Sequence, residues 1–168
     1  IDQGTQVSLS DDSVNFADGS LTVSISSGRV SGEDELAIQD LGSGAGKIGV
    51  SGSNVTYEGG IIGTWAGGTG TNDLVVSLNS NADSDAVSAL MANITYQNTD
   101  NSSPTKGIRQ IDFSLNDGDG GTSNTATVSI YGPMEAGRSQ VVGDDIFLEG
   151  NYISVGVSGA GSFGTSEN

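Results

Sequence analysis

The chain has no cysteine and no histidine, and only two prolines and five basic residues among its 168. Without cysteine there is no disulfide framework. Without imidazole or thiolate the nucleophilic triads and the zinc and copper centres built on those groups are excluded. The acid–base machinery that remains is a carboxylate pair of the glycosidase kind, nothing marks one, and the expectation is that the chain is not an enzyme. Scarce lysine and arginine argue against nucleic acid and anionic membrane surfaces, because polyanions reward clustered basic side chains. No apolar run approaches the roughly 20 residues needed to span a bilayer, so no membrane insertion is expected. The missing thiols leave two readings open, a reducing compartment or an exported bacterial protein, and the charge favours the second.

Twenty-one acidic residues give a formal charge of -16, and 27 glycines accompany abundant serine, threonine and asparagine. That composition suits an all-β protein with many tight turns. Negative charge at this density repels itself, so cations that neutralise part of it favour the compact state. The length allows one well-cored domain plus a tail. The chain begins Ile1-Asp2-Gln3, with neither signal peptide nor initiator methionine, and reads as a piece of something longer.

Hydrophobic spacing supplies the elements. Residues 21–26 alternate apolar and small polar side chains with period two, as in a strand with one buried face. Shorter strands are predicted at 36–39, 46–50, 55–57, 61–65 and 74–78, at the spacing of a sandwich. Over 83–94 the period changes. Val87, Leu90, Met91 and Ile94 fall at i, i+3, i+4 and i+7, with Asp83 or Ser84 placed to cap, which predicts an amphipathic helix of about two turns. Alternation resumes at 94–97, and two long strands, 108–116 and 125–131, form a hairpin. Its predicted core residues are Ile111, Phe113 and Leu115 on one strand and Ala126, Val128 and Ile130 on the other. Residues 1–132 read as the sandwich, 133–143 as a linker, and 144–168, with β-like runs at 146–148 and 152–157, as the start of a next module or an edge-augmenting strand.

Between the two long strands stands Asn116-Asp117-Gly118-Asp119-Gly120-Gly121. Two carboxylates on a glycine-rich loop offer hard oxygen donors, which suit Ca²⁺ with its 6–8 oxygen ligands in loose geometry. A bare hairpin turn, for which Asp-Gly steps supply positive φ, is the competing reading. Asp112, opposite Phe113 in the alternation, is either a third ligand or a solvated strand residue. Glu33-Asp34-Glu35 either brings Glu33 and Asp34 to the same ion or is a solvated charge run; Asp18 and Asp100 are weaker candidates. An EF-hand is excluded, since position twelve from Asp117 is Val128 where a glutamate is required. Residues 67–75 nearly match a calcium-binding nonapeptide, but Asn72 replaces the aspartate and no tandem copy follows, so a glycine-rich hairpin loop is the better reading. Trp65, the lone tryptophan, is read as core or sheet cover rather than a sugar platform, and the sequons at Asn54, Asn93 and Asn101 carry no weight.

From Val7 to Tyr131 the order of motifs resembles a cadherin-like repeat of large bacterial surface proteins, RTX-type adhesins included, and is similar to repeats of chondroitin-sulfate proteoglycan ectodomains. The residues that carry the resemblance run Asn15-Phe16-Ala17-Asp18-Gly19-Ser20-Leu21-Thr22-Val23, then 46–57, then the helix leading into Ile94-Thr95-Tyr96-Gln97-Asn98, then 111–123. It implies a Greek-key, immunoglobulin-like β-sandwich with one short helix, extracellular or on the bacterial surface, stabilised by Ca²⁺ and strung in tandem. The partners it implies are neighbouring repeats or identical subunits, with a surface glycan or protein as ligand. Clustered Asp-Asn-Asp linker motifs are absent, so the inter-repeat calcium arrangement of animal cadherins is not carried over. A self-assembling filament or surface-layer subunit and a carbohydrate-binding module stand as alternatives.

Overall fold

A computed structural model describes residues 15–123 and 125–131, together with the strand segments Ser8–Leu9, Ser139–Val141, Ile146–Glu149 and Tyr152–Val155. In chain order the strands are β1 (Ser8–Leu9), β2 (Ser20–Ser27), β3 (Asp34–Ile38), β4 (Ile48–Ser51), β5 (Asn54–Tyr57), β6 (Gly60–Ala66) and β7 (Leu74–Leu78). Helix α1 (Ser84–Ala92) follows, then β8 (Ile94–Asn98), β9 (Ile108–Asn116), β10 (Ala126–Tyr131), β11 (Ser139–Val141), β12 (Ile146–Glu149) and β13 (Tyr152–Val155). The chain is an all-β sandwich with one short helix. A seven-stranded sheet, ordered β10-β9-β2-β7-β6-β5-β4, faces a three-stranded sheet, β11-β8-β3; β1, β12 and β13 form a third, small sheet.

Alternation builds the core. Leu21, Val23 and Ile25 of β2, Leu74, Val76 and Leu78 of β7, and Ile111, Phe113 and Leu115 of β9 all turn inward from the large sheet. Leu36 and Ile38 of β3 with Ile94 and Tyr96 of β8 meet them from the other side. Of the six predicted core residues, five are buried and Val128 is partly buried against the same cluster. β2 and β9 make the longest ladder, from Ser20 opposite Asn116 to Ser27 opposite Gln110.

Helix α1 carries the chain from β7 in one sheet to β8 in the other. Asp83 caps it, accepting the Ala86 N–H at 2.8 Å, and Val87, Leu90 and Met91 are fully buried. The edges of the sandwich are dressed by loops. Asp40 accepts from Val50 N–H and the Leu41 N–H reaches the Ile48 carbonyl along β4, while Gly68 accepts from Leu36 N–H along β3.

The predicted linker 133–143 contains β11, which pairs antiparallel with β8 and extends the small face of the sandwich. Beyond it β12 pairs antiparallel with β13 and, in parallel, with β1, Phe147 standing opposite Ser8. The tail therefore supplies strands to its own chain. Two-residue β1 and three-residue β11 are too short to show a period, which is why the sequence did not announce them. The remainder of the predicted tail strand, 156–157, lies outside the described residues.

Replacing Leu90 by alanine empties a sealed site and is expected to destabilise the fold by about 2–5 kcal/mol. Asp83→Ala removes only a cap and costs about 1 kcal/mol. Urea titration should show both as lowered midpoints with an unchanged slope.

Candidate metal site and a buried charge pair

The hairpin loop between β9 and β10 holds its own polar groups tightly. Asp117 Oδ1 accepts from the backbone N–H of Asp119 at 2.8 Å and of Gly121 at 2.9 Å, and the Asp117 N–H closes the turn onto the Gly121 carbonyl. Asn116 Oδ1 accepts from Gly118 N–H, while its amide nitrogen donates to the Gly121 carbonyl at 2.9 Å and the Thr122 hydroxyl at 3.1 Å. Ser123 pairs with Leu115 on both backbone and hydroxyl. The loop also leans on the turn that leads into β2. Gly118 sits at φ +90°, and any side chain there would collide with the Ala17 carbonyl, so glycine is required for the two turns to touch. Asp18, at φ 62° within that turn, thereby joins Asp117 and Asp119 at one end of the sandwich.

The remaining predicted ligands are elsewhere. Asp112 is on the outer face of β9, as alternation requires, and accepts the Thr127 hydroxyl at 2.6 Å from the neighbouring strand. Glu33 and Asp34 meet the opposite end of β9, beside Arg109, and eight residues of extended chain separate Arg109 from Asp117, about 26 Å. The structure thus brings together Asn116, Asp117 and Asp119, and the expected convergence of Glu33 and Asp34 on that loop does not occur. Among the described residues no three acidic side chains gather around one point. A calcium ion at the hairpin end would be held by the Asp117 and Asp119 carboxylates, loop carbonyls and water, a donor set of the right chemistry. Asp34, whose oxygens already serve an arginine, does not fit such an ion.

What occupies Asp34 was missed from sequence. Along β9 the inward positions read Arg109, Ile111, Phe113, Leu115, and along β3 they read Asp34, Leu36, Ile38. The two strands lie in different sheets, so the charged residues meet across the interior. Arg109 Nε donates to Asp34 Oδ2 at 2.8 Å, with the side chains 4% and 0% exposed. The Tyr96 hydroxyl donates to Asp34 Oδ1 at 2.7 Å, and the Val30 N–H to Oδ2 at 2.6 Å. Burial, then the bond to Asp34, pushes the Tyr96 phenol far up. For Arg109 burial opposes the charged form, but the Asp34 hydrogen bond and charge outweigh it and the pKa rises further. Among the described residues no buried side-chain polar atom lacks a partner. A cavity of about 10 Å³ beside the pair, lined by Tyr96, Thr105 and Arg109 among others, has room for roughly one water.

Glu33 clamps the loop covering this pair. Its carboxylate accepts from Asn98 Nδ2 and from both the N–H and the hydroxyl of Thr105, and its carbonyl accepts from the N–H and hydroxyl of Thr99. The Thr105 hydroxyl, Asn98 and the Thr105 N–H together hold the Glu33 carboxyl below its ordinary value of 4.5. Within the same loop Asp100 gathers Ser102 and Ser103 and is lowered by their N–H groups. Trp65 is half-buried against the core, its indole N–H donating to the Gly52 carbonyl, so it covers the sheet instead of offering a free ring.

Set beside known protein families, curated proteins and solved structures, the chain matches none of them.

Arg109→Leu leaves Asp34 buried without a counter-charge and is expected to cost about 3–5 kcal/mol, whereas joint replacement of Asp34 and Arg109 by leucine should recover most of that loss. Chemical denaturation of both variants measures the difference. For Glu33, a folded pKa below 4.5 means that its contribution is complete above pH 4.5 and fades as pH falls through the lower folded value. The amide protection factor of Thr105 should therefore drop on acidification while that of Thr99, bound to the Glu33 carbonyl, persists; Glu33→Gln should remove the pH dependence at Thr105.

Proposed function

We propose that the chain is a Ca²⁺-stabilised spacer module of a secreted or cell-surface bacterial adhesin, which supports cell adhesion or biofilm attachment by holding functional parts at a distance. The observation that carries this reading is the contact between the Asn116–Gly121 loop and the Asn15–Gly19 turn. It sets the turn that carries Asp18 against the loop that carries Asp117 and Asp119, at the pole where the chain enters the large sheet. The last strand of that sheet, β10, ends at Tyr131 opposite Ile108, at the other pole. A module strung in tandem has its joint where the chain passes from one unit to the next, and an ion bound there neutralises carboxylates that otherwise repel a neighbour. The cadherin-like order of motifs and the absence of thiols belong to the same reading, which makes no use of catalysis.

A second reading, a subunit of a filament or surface layer, draws on the pairing of β12 with β1. Segments on either side of the sandwich meet in a short parallel ladder, and the same ladder formed between two copies would link them.

Binding of Ca²⁺ at a hundredfold excess over Kd adds about 2.7 kcal/mol, or roughly 5–10 °C in Tm for a domain of this size. The melting midpoint should rise by that amount with calcium over chelator, less with magnesium. Asp117→Asn combined with Asp119→Asn should abolish the rise without changing the midpoint in chelator. A rise that survives in the double variant removes the hairpin loop as its source.

A further inference from the structure

The loop between β6 and β7 is wrapped around a positive charge. From Gly67 to Asp73 it turns back on itself, with Gly67, Gly68 and Gly70 at φ +85°, +86° and +64°. A side chain at Gly68 would collide with the Leu36 carbonyl, so the loop is pressed against β3, where Thr69 bridges to Glu35 and Gly68 accepts from Leu36 N–H. Its oxygens point to one place. Gly70 O and Asn72 O lie 3.3 Å and 3.2 Å from Arg29 Nη1, and Asp73 Oδ1 lies 2.6 Å from Arg29 Nη2. On its other flank Arg29 Nε donates to Ile25 O at 3.3 Å. The guanidinium side chain is only 16% exposed, although it belongs to a connecting segment.

Carbonyls and a carboxylate gathered on a tight glycine loop are the donor set of a hard-cation site. Here a side chain fills it. We infer that the Gly67–Asp73 loop is a divalent-cation site whose ion has been replaced by the guanidinium of Arg29, so that this pole of the sandwich keeps its shape without metal. Asn72 fits the inference. Where a metal-binding loop of this spacing places an aspartate, a resident monovalent cation already paired with Asp73 calls for one carboxylate fewer, and Asn72 supplies its backbone carbonyl instead. Arg29 and Arg109 then act alike, each supplying from within the chain a charge that a bound ion would otherwise bring. The inference is independent of the hairpin loop and of the spacer reading, since it concerns other residues at another place.

Removing Arg29 tests it. In Arg29→Ser the loop oxygens lose their cation; Gly70 O and Asn72 O, 3.3 Å and 3.2 Å from the departed Nη1, have only about 0.7–1 Å to move to reach calcium–oxygen distances of 2.3–2.6 Å, the Asp73 carboxylate turns to the same point, and waters complete the shell. Trp65 stands two residues before Gly67 and is the only tryptophan, so Tb³⁺ in this loop is reported by emission on tryptophan excitation. The full chain is compared as wild type, Arg29→Ser, Arg29→Lys, and Arg29→Ser with Asp73→Asn, each titrated with Tb³⁺ and then with competing Ca²⁺. Arg29→Ser should gain a saturable, calcium-displaceable signal several-fold above wild type, with Kd on the order of 10⁻⁴–10⁻³ M as in weak extracellular sites. Arg29→Lys and the double variant should not gain it. In parallel, amide exchange of residues 68–73 should be unaffected by chelator in wild type and slowed by calcium in Arg29→Ser. The inference is overturned if Arg29→Ser, folded by its far-ultraviolet dichroism, shows no added Tb³⁺ signal, or if the signal is the same with Asp73→Asn. Should Arg29→Ser not fold, Arg29→Gln replaces it under the same criteria.

Discussion

Among the described residues, a buried charge pair, Asp34 with Arg109, ties the two sheets together. Taking the Asp34 carboxylate out of water is heavily unfavourable unless each of its oxygens finds a donor, and here three donors converge: Arg109 from β9, Tyr96 from β8 and the Val30 backbone. Because those donors come from both sheets, the pair fixes how the sheets sit on one another at that end. The apolar driving force elsewhere in the interior is non-directional, whereas this contact demands donors and acceptors in one geometry. The Glu33 clamp and the loop from Thr99 to Thr105 complete the seal, with Arg109 Nη2 donating to the Thr105 carbonyl. Acidic residues that a charge count assigns to the solvated surface are thus partly internal structure.

This alters how the net charge of -16 is understood. Of five basic residues, Arg29 and Arg109 are committed to internal oxygen clusters, leaving few to balance the outer carboxylates. At the hairpin pole the Asn116 amide does a comparable task with a dipole, bracing the Gly121 carbonyl and the Thr122 hydroxyl. Each turn is therefore shaped before any ion arrives, and an ion added to the hairpin loop would meet a geometry already set.

Periodicity made most of the fold legible. Eleven strands and the helix stand where alternation and the i, i+3, i+4 pattern put them, because those patterns record which side of an element faces the interior. Apart from the β9–β10 hairpin, the pairing partners did not follow from it: β2 lies between β7 and β9, and nothing in the spacing says so. The candidate site was legible in part. Asn116, Asp117 and Asp119 share a loop by adjacency alone, but its contact with Ala17 joins residues about a hundred positions apart, which no local signal encodes. Asp34 and Arg109 carried a readable sign. Each occupies the parity of a core position in its strand, and a charge at such a position asks for an opposite charge across the interior. Attention to acidic runs, in place of parity, sent Glu33 and Asp34 to the wrong end.

The ladder between β2 and β9 has a kinetic corollary. Its strands are separated by most of the domain's length, Ser20 meeting Asn116, so the central pairing of the large sheet cannot form until nearly the whole unit exists. Loop-closure entropy at such separations makes assembly slow, and an incomplete chain exposes the unsatisfied edge and apolar face of β2 meanwhile. In a chain still being synthesised this ladder stays open until residue 116 is present, and β10 joins the sheet only after it.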